Sequence, residues 1–365
     1  MYHNPVKVLE TNRWIEKCRE VQEELGIDNP LVITSNGNLT RHELSKIFNY
    51  NSIFSNVEPN PTFESCKSAI SFANTSNSDG IIAIGGGSVM DTAKVVLASL
   101  GTGVRNTSKL LQVGSPYKNK VPSIFIPTTH GSGSEVTMWG TVWNMKEKKK
   151  YSIAHPDLYP DYAILDGGLT LSLPIDISFS TTLDALSHSF EAIWNKNSNP
   201  ISTNYAIEAI YLILENIERL TYEPQNIDLR NTLLKASNIA GFAISNTKTA
   251  AAHSISYPLT INFNIPHGIA CSLPLLPLLY INKDSINEEI ELIIEKLGLN
   301  NFSELADCVK RIFSCLSKSN LREWGVVQSD LEKLVDQSFT KDRMENNIEL
   351  LSKSDVKTIL NNIYQ

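Results

Sequence analysis

The chain has 365 residues, 42% of them apolar and 19% charged, with a formal net charge of −7. It can bury a sizeable core and is expected to form two domains; its acidity argues against a nucleic-acid partner, and no apolar run reaches the ~18 residues of a membrane candidate. Five cysteines (Cys18, Cys66, Cys271, Cys308, Cys315) lack CxxC spacing and the start MYHNPVKVLETNRW lacks a secretory pattern, so reduced thiols in a cytoplasm are expected, not disulfides or a thiolate zinc site.

From the N-terminus, residues 13–25 carry helical spacing. The run LVIT, 31–34, is β-branched and leads through Ser35-Asn36-Gly37 into a helix over 38–48. A short strand is expected near 52–57 and a helix over 63–74. IIAI, 81–84, then runs into Gly85-Gly86-Gly87-Ser88 and a helix starting VMDTAK. The strand at 122–129 enters a second small-residue turn, His130 to Glu135. A hairpin or short strands are expected over 145–165, with the lysines of 146–150 mostly in a solvated loop. This alternation predicts a parallel α/β layer. From about 177 the pattern is helical: 177–194, 201–221, 226–248, and on to the end. The expected domains are 1–172 and 173–365.

The glycines of GGGS allow close backbone approach, and the following helix start offers free N–H groups and partial positive charge, a combination that suits phosphate. Two such turns at the carboxyl ends of two strands could close over a pyrophosphate and a nicotinamide. In the helical half, Asp184 and His188 stand four apart, one turn along a helix face. His253 and His267 follow, two of only seven histidines. One carboxylate and three imidazoles suit Fe²⁺ or Zn²⁺.

GGGSVMDTAK (85–94), IPTTHGSGSEVT (126–137), DALSHSFEA (184–192) and AAHSISYPLTINFNIPHG (251–268) occur together and in this order. With them the chain resembles the iron-containing alcohol dehydrogenase family. The resemblance implies a Rossmann-like α/β dinucleotide-binding domain, an all-helical domain, and an active site in the cleft between them. It implies Fe²⁺ (or Zn²⁺) on Asp184, His188, His253 and His267, NADH or NADPH as cofactor, and a homodimer. Gly86, Gly87, Ser88 and Asp91 match cofactor positions, as do Thr128, Thr129, Ser132, Ser134 and Lys150.

Three departures from the family pattern stand out. Ser35, followed by Asn36, replaces the Asp that would repel a ribose 2′-phosphate, so NADPH should be accepted. His130 replaces a small residue. Tyr257 stands where many members have a histidine near the reacting centre, and is expected to orient substrate or cofactor more than to transfer a proton. HSISYPLT with FEAIWNKNSNPIS (190–202) resembles the branch that reduces phosphonoacetaldehyde to 2-hydroxyethylphosphonate. A small anionic aldehyde would then need partners such as His130, Asn195, Lys196 or Lys248. The alternatives are a general short-chain alcohol dehydrogenase or lactaldehyde reductase, and a cyclase resembling dehydroquinate synthase.

Overall fold

The structure is a computed structural model and describes every residue except 1, 112–115, 146, 148, 341 and 342. Lys146 and Lys148 of the lysine run therefore lie outside the described residues. The chain divides into two compact units. One comprises Asn4–Thr129 and Gly133–Ser172; the other comprises Leu173–Gln365, His130–Ser132 and the first three residues.

The first unit runs β1 (Lys7–Glu10), α1 (Trp14–Leu25), β2 (Pro30–Thr34), α2 (Asn36–Arg41), α3 (Leu44–Ile47), β3 (Ile53–Phe54), α4 (Phe63–Thr75), β4 (Gly80–Gly85), α5 (Gly87–Thr102), α6 (Thr107–Leu110), β5 (Ser123–Pro127), β6 (Trp139–Asn144), β7 (Lys149–Ala154) and β8 (Tyr162–Leu165). Six strands form a parallel sheet in the order β1-β8-β5-β4-β2-β3. Alternate residues face opposite sides of a strand. Leu31, Ile33, Ile81, Ala83 and Phe125 pack with the apolar faces of α4 and α5. Val32, Ile82, Ile84, Ile124 and Ile126 pack with Trp14, Cys18 and Val21 of α1 and Leu44 of α3. With both faces covered, the strands read as unbroken apolar runs.

Three local expectations needed correction. The helix expected over 38–48 is two short helices, broken where Glu43 takes a left-handed φ of 48°. The strand expected over 52–57 shrinks to two residues. β1 was not expected; KVLE is only four residues long with a charge at each end, and is held by pairing with β8, from Lys7 opposite Tyr162 to Glu10 opposite Leu165. β6 and β7 form an antiparallel hairpin that sets Lys150 opposite Trp143.

The second unit is helical: α7 (Ile175–Ile193), α8 (Pro200–Asn216), α9 (Ile227–Thr247), α10 (Ala251–Phe263), α11 (His267–Ser272), α12 (Leu275–Asn282), α13 (Asn287–Leu297), α14 (Phe302–Phe313), α15 (Leu331–Gln337) and α16 (Lys353–Asn362). α7 is the hub, buried almost without interruption from Ser178 to Ile193. One apolar core joins it to α8, α9, α10 and the C-terminal helices. No helix is long and apolar enough to cross a membrane among the described residues.

Candidate metal centre and cofactor turns

Three helices bring four side chains to one point. α7 supplies Asp184 and His188, α10 supplies His253 and α11 supplies His267. Asp184 Oδ1 lies 3.7 Å from His188 Nε2, 3.4 Å from His253 Nε2 and 3.9 Å from His267 Nε2. The His188 and His253 rings stack at 4.7 Å, and His267 meets His253 edge-on at 5.3 Å. Asp184 Oδ1 and His253 Nε2 are buried and make no hydrogen bond. Buried polar atoms are normally paired, so atoms left open around one point fit a divalent cation. The donor set, one carboxylate with imidazoles, suits a transition metal. His267 is the accessible member, its side chain 36% exposed against 6–11% for the other three.

Electrostatics agree with this reading. Burial pushes the Asp184 carboxyl up, but His188, His267 and His253 outweigh it and hold the group far below its ordinary range. Burial pulls His188 down, more strongly than Asp184 raises it. His253 is opposed by burial yet raised well above its ordinary value by Cys271, Glu191 and Asp184. A proton and a divalent ion compete for the same lone pair there.

Glu191 and Arg343 are among the groups that escaped the sequence reading. Glu191 is fully buried on α7. Its Oε2 accepts from His253 Nδ1 at 2.6 Å, and its Oε1 accepts from the His253 backbone N–H at 3.0 Å. A carboxylate on the far ring nitrogen fixes the tautomer that leaves Nε2 for a metal. The signal was present: Glu191 falls three residues after His188, on the same helix face. Arg343, just before the 3-10 turn Met344–Asn346, places its positive field on Glu191, Cys271 and Tyr257. Nothing in its local sequence pointed to the site.

Tyr257 lies one turn after His253 on α10 and is half-buried. His130 is fully buried with neither ring nitrogen hydrogen-bonded. Burial, helped by the Arg230 charge, pushes it down to about 3, so it stands neutral and offers no cation. The Asn195 amide is taken up by the protein: Nδ2 donates to the Lys248 carbonyl at 3.1 Å, and Oδ1 accepts from the Asn197 backbone and side chain. Lys248 is exposed and holds φ 66°, ψ 179°, a conformation that favours glycine. Lys196 is exposed, its backbone N–H bonded to the Asn346 carbonyl.

In the α/β unit, Gly86 caps α5, and Gly87 and Ser88 open that helix. A Cβ on Gly86 would stand 3.0 Å from the Thr129 side chain, so the turn after β4 touches the turn after β5. Thr128 N–H donates to the Gly85 carbonyl at 3.1 Å, and the Ser88 hydroxyl accepts from the Asn60 N–H at 3.1 Å. Asp91 accepts from the Ser134 hydroxyl at 3.2 Å, and desolvation raises its carboxyl against the pull of Lys94. Lys94 is wholly buried and pulled down to about 8 by that burial. Its ammonium lies 2.8–2.9 Å from the Ser134 carbonyl and hydroxyl, the Thr137 hydroxyl and the Trp139 carbonyl. It thus shapes the loop that carries Ser134. Ser132 belongs to the helical unit. Lys150 extends over the Trp143 ring at 5.6 Å.

After β2, the Ser35 hydroxyl caps α2 by accepting from Asn38 N–H at 3.2 Å, and Asn36 is exposed. Arg41 folds back over this turn: a Cβ on Gly37 would lie 2.8 Å from its Nη2. A cation one helical turn later in sequence therefore stands at the turn itself.

The iron-containing alcohol dehydrogenase model matches residues 5–167, and the C-terminal model of the same family matches residues 178–364. Long-chain-alcohol dehydrogenase 1 of Geobacillus thermodenitrificans is 30% identical over 305 residues, 80% of this chain and 76% of that one. Phosphonoacetaldehyde reductase of Streptomyces viridochromogenes is 33% identical over 210 residues, 56% of this chain and 53% of that one. The crystal structure of sulfoacetaldehyde reductase from Bifidobacterium kashiwanohense with NAD⁺ superposes with a TM-score of 0.92 at 26% identity, covering 100% of this chain and 98% of that one. Matched over both halves, the chain belongs to the iron-containing alcohol dehydrogenase family and is an oxidoreductase of the alcohol dehydrogenase type.

Proposed function

We propose that this enzyme reduces a short aldehyde bearing an anionic head group, with phosphonoacetaldehyde the favoured substrate, using NADPH or NADH. The observation that carries the reading is the convergence of three imidazoles on Asp184 Oδ1 at 3.4–3.9 Å, with buried atoms left open between them. Asp184, His188, His253 and His267 would hold Fe²⁺, or Zn²⁺ in its place. A bound divalent ion supplies Lewis acidity toward a carbonyl and a nicotinamide supplies hydride. The protein does the rest. Glu191 keeps His253 in one tautomer, and His267, the most exposed of the four, would be the ligand nearest arriving substrate. Tyr257 would donate a hydrogen bond that orients substrate or cofactor. Gly86, Gly87, Ser88, Asp91, Thr128, Thr129, Ser132, Ser134 and Lys150 would contact the cofactor, with residues 1–172 forming its domain and 173–365 the metal-binding domain.

The anionic head group is supported by the Arg343 field beside Tyr257 and by two relatives whose names specify two-carbon aldehydes carrying phosphonate or sulfonate. Charge-assisted hydrogen bonds to such a head are stronger than neutral ones. We place the enzyme in the cytoplasm as a homodimer. The test is nicotinamide oxidation with phosphonoacetaldehyde, sulfoacetaldehyde, lactaldehyde and propanal, before and after chelation. The expected result is a metal-dependent reaction with a kcat/KM for phosphonoacetaldehyde at least about tenfold above that for propanal, a gap of ~1.4 kcal/mol in transition-state binding. Equal efficiency with propanal or lactaldehyde points to the general short-chain alcohol dehydrogenase instead.

A further inference from the structure

The sequence leaves Cys271 a bystander, but the structure does not. The carboxylate of Asp184, ring nitrogens of His253 and His267, and Cys271 Sγ all lie within 4.8 Å of one another. Cys271 follows His267 by four residues on α11, the spacing that puts two side chains on one face. Its sulfur is 3.7 Å from His267 Nδ1 and 3.6 Å from Nε2. The residue is fully buried, so it is not a surface thiol that drifts near the centre. Two of the residues grouped with it carry buried atoms left without hydrogen bonds, Asp184 Oδ1 and His253 Nε2. His188 is not in this tight group; it approaches Asp184 while stacking on His253.

We propose that Cys271 is a fifth donor of the metal centre, so that the ion is held by one carboxylate, three imidazoles and one thiolate. The inference rests on the metal reading above. Its chemistry has two consequences. A thiolate is soft, so the centre would prefer Zn²⁺, Fe²⁺ or Co²⁺ over Mg²⁺ or Mn²⁺. A second anionic ligand would also cancel the remaining charge of a divalent ion, trading Lewis acidity for retention.

The test is spectroscopic and needs no turnover. Chelated protein is loaded with Co²⁺, and separately with Zn²⁺. The cobalt form should show a thiolate-to-cobalt charge-transfer band in the near ultraviolet beside its visible ligand-field bands. X-ray absorption on the zinc form should find one sulfur at about 2.3 Å. Cys271→Ser should keep the visible bands, lose the charge-transfer band, and release the metal to a chelator at least about tenfold faster, the scale of losing a supporting interaction. Visible bands with no charge transfer in the wild type, and no sulfur at zinc, would overturn the proposal while leaving the carboxylate and imidazole site intact. Failure to take up either ion would overturn both. The wild-type spectra decide the matter even if the serine variant does not fold.

Discussion

At the scale of single residues, the turn after β2 combines a missing carboxylate at Ser35 with a cation, Arg41, folded back over Gly37. In the proposed cofactor site Ser35 would stand where an Asp would repel a 2′-phosphate, and its hydroxyl is engaged as a helix cap. Arg41, donating to Asn38 Oδ1 at 3.3 Å, brings a guanidinium over Gly37. Guanidinium matches phosphate oxygens in a planar fork. Arg41→Ala should therefore raise KM for NADPH by about tenfold, on the order of one charge-assisted hydrogen bond, with little change for NADH. Ser35→Asp should shift preference toward NADH. Initial rates with both cofactors measure this; equal effects on the two would show that Arg41 does not meet the 2′ position. Sequence spacing hid Arg41 because only the fold of α2 shows which way the side chain returns.

At the scale of elements, the proposed metal centre depends on how closely α11 can approach α7. A Cβ on Gly268 would stand 1.8 Å from the Ser180 carbonyl oxygen and 3.2 Å from Asp184 Cβ. Glycine here serves close approach, and it sets His267 beside Asp184. The turn at His130–Ser132 meets α7 in the same way, since a Cβ on Gly131 would lie 2.6 Å from the Thr181 carbonyl. Gly268→Ala must push α11 outward by more than an ångström. A displacement of that size costs on the order of 10²-fold in rate, and bound metal should fall with it. Metal analysis alongside kcat/KM is the measurement; full metal content with normal turnover would show that α11 yields without moving His267.

At the scale of the whole molecule, the buried neutral His130 ties stability to pH. Its folded-state value is pushed down to about 3 from an ordinary 6.5. The unfolded chain takes up a proton as pH falls through 6.5, and the folded one does not. Stability from this group is thus full above that point and declines by about 1.4 kcal/mol per pH unit on the way down toward 3. Between pH 6.5 and 5 the loss should be about 2 kcal/mol. Urea unfolding of chelated protein at both pH values, set against His130→Phe, isolates the effect. Parallel pH slopes in the two proteins would sink it.

The sequence by itself determined the family, the alternation of strands and helices, and the change to an all-helical second half. Each rests on local information: strand and helix periodicity, glycine at strand ends, and four short motifs in order. The helix over 38–48 and the strand over 52–57 came out wrong in extent, because propensity does not report where the chain must bend to pack Leu44 against the sheet. β1 was invisible because its pairing with β8 spans about 155 residues, Lys7 opposite Tyr162. What only the tertiary structure decided is which side chains share a point in space. Glu191, Cys271 and Arg343 come from α7, α11 and a late turn, and Arg41 reaches back across its own helix. Periodicity assigns a residue to a face; only the packing of one backbone on another, as at Gly268, sets which faces meet and how closely.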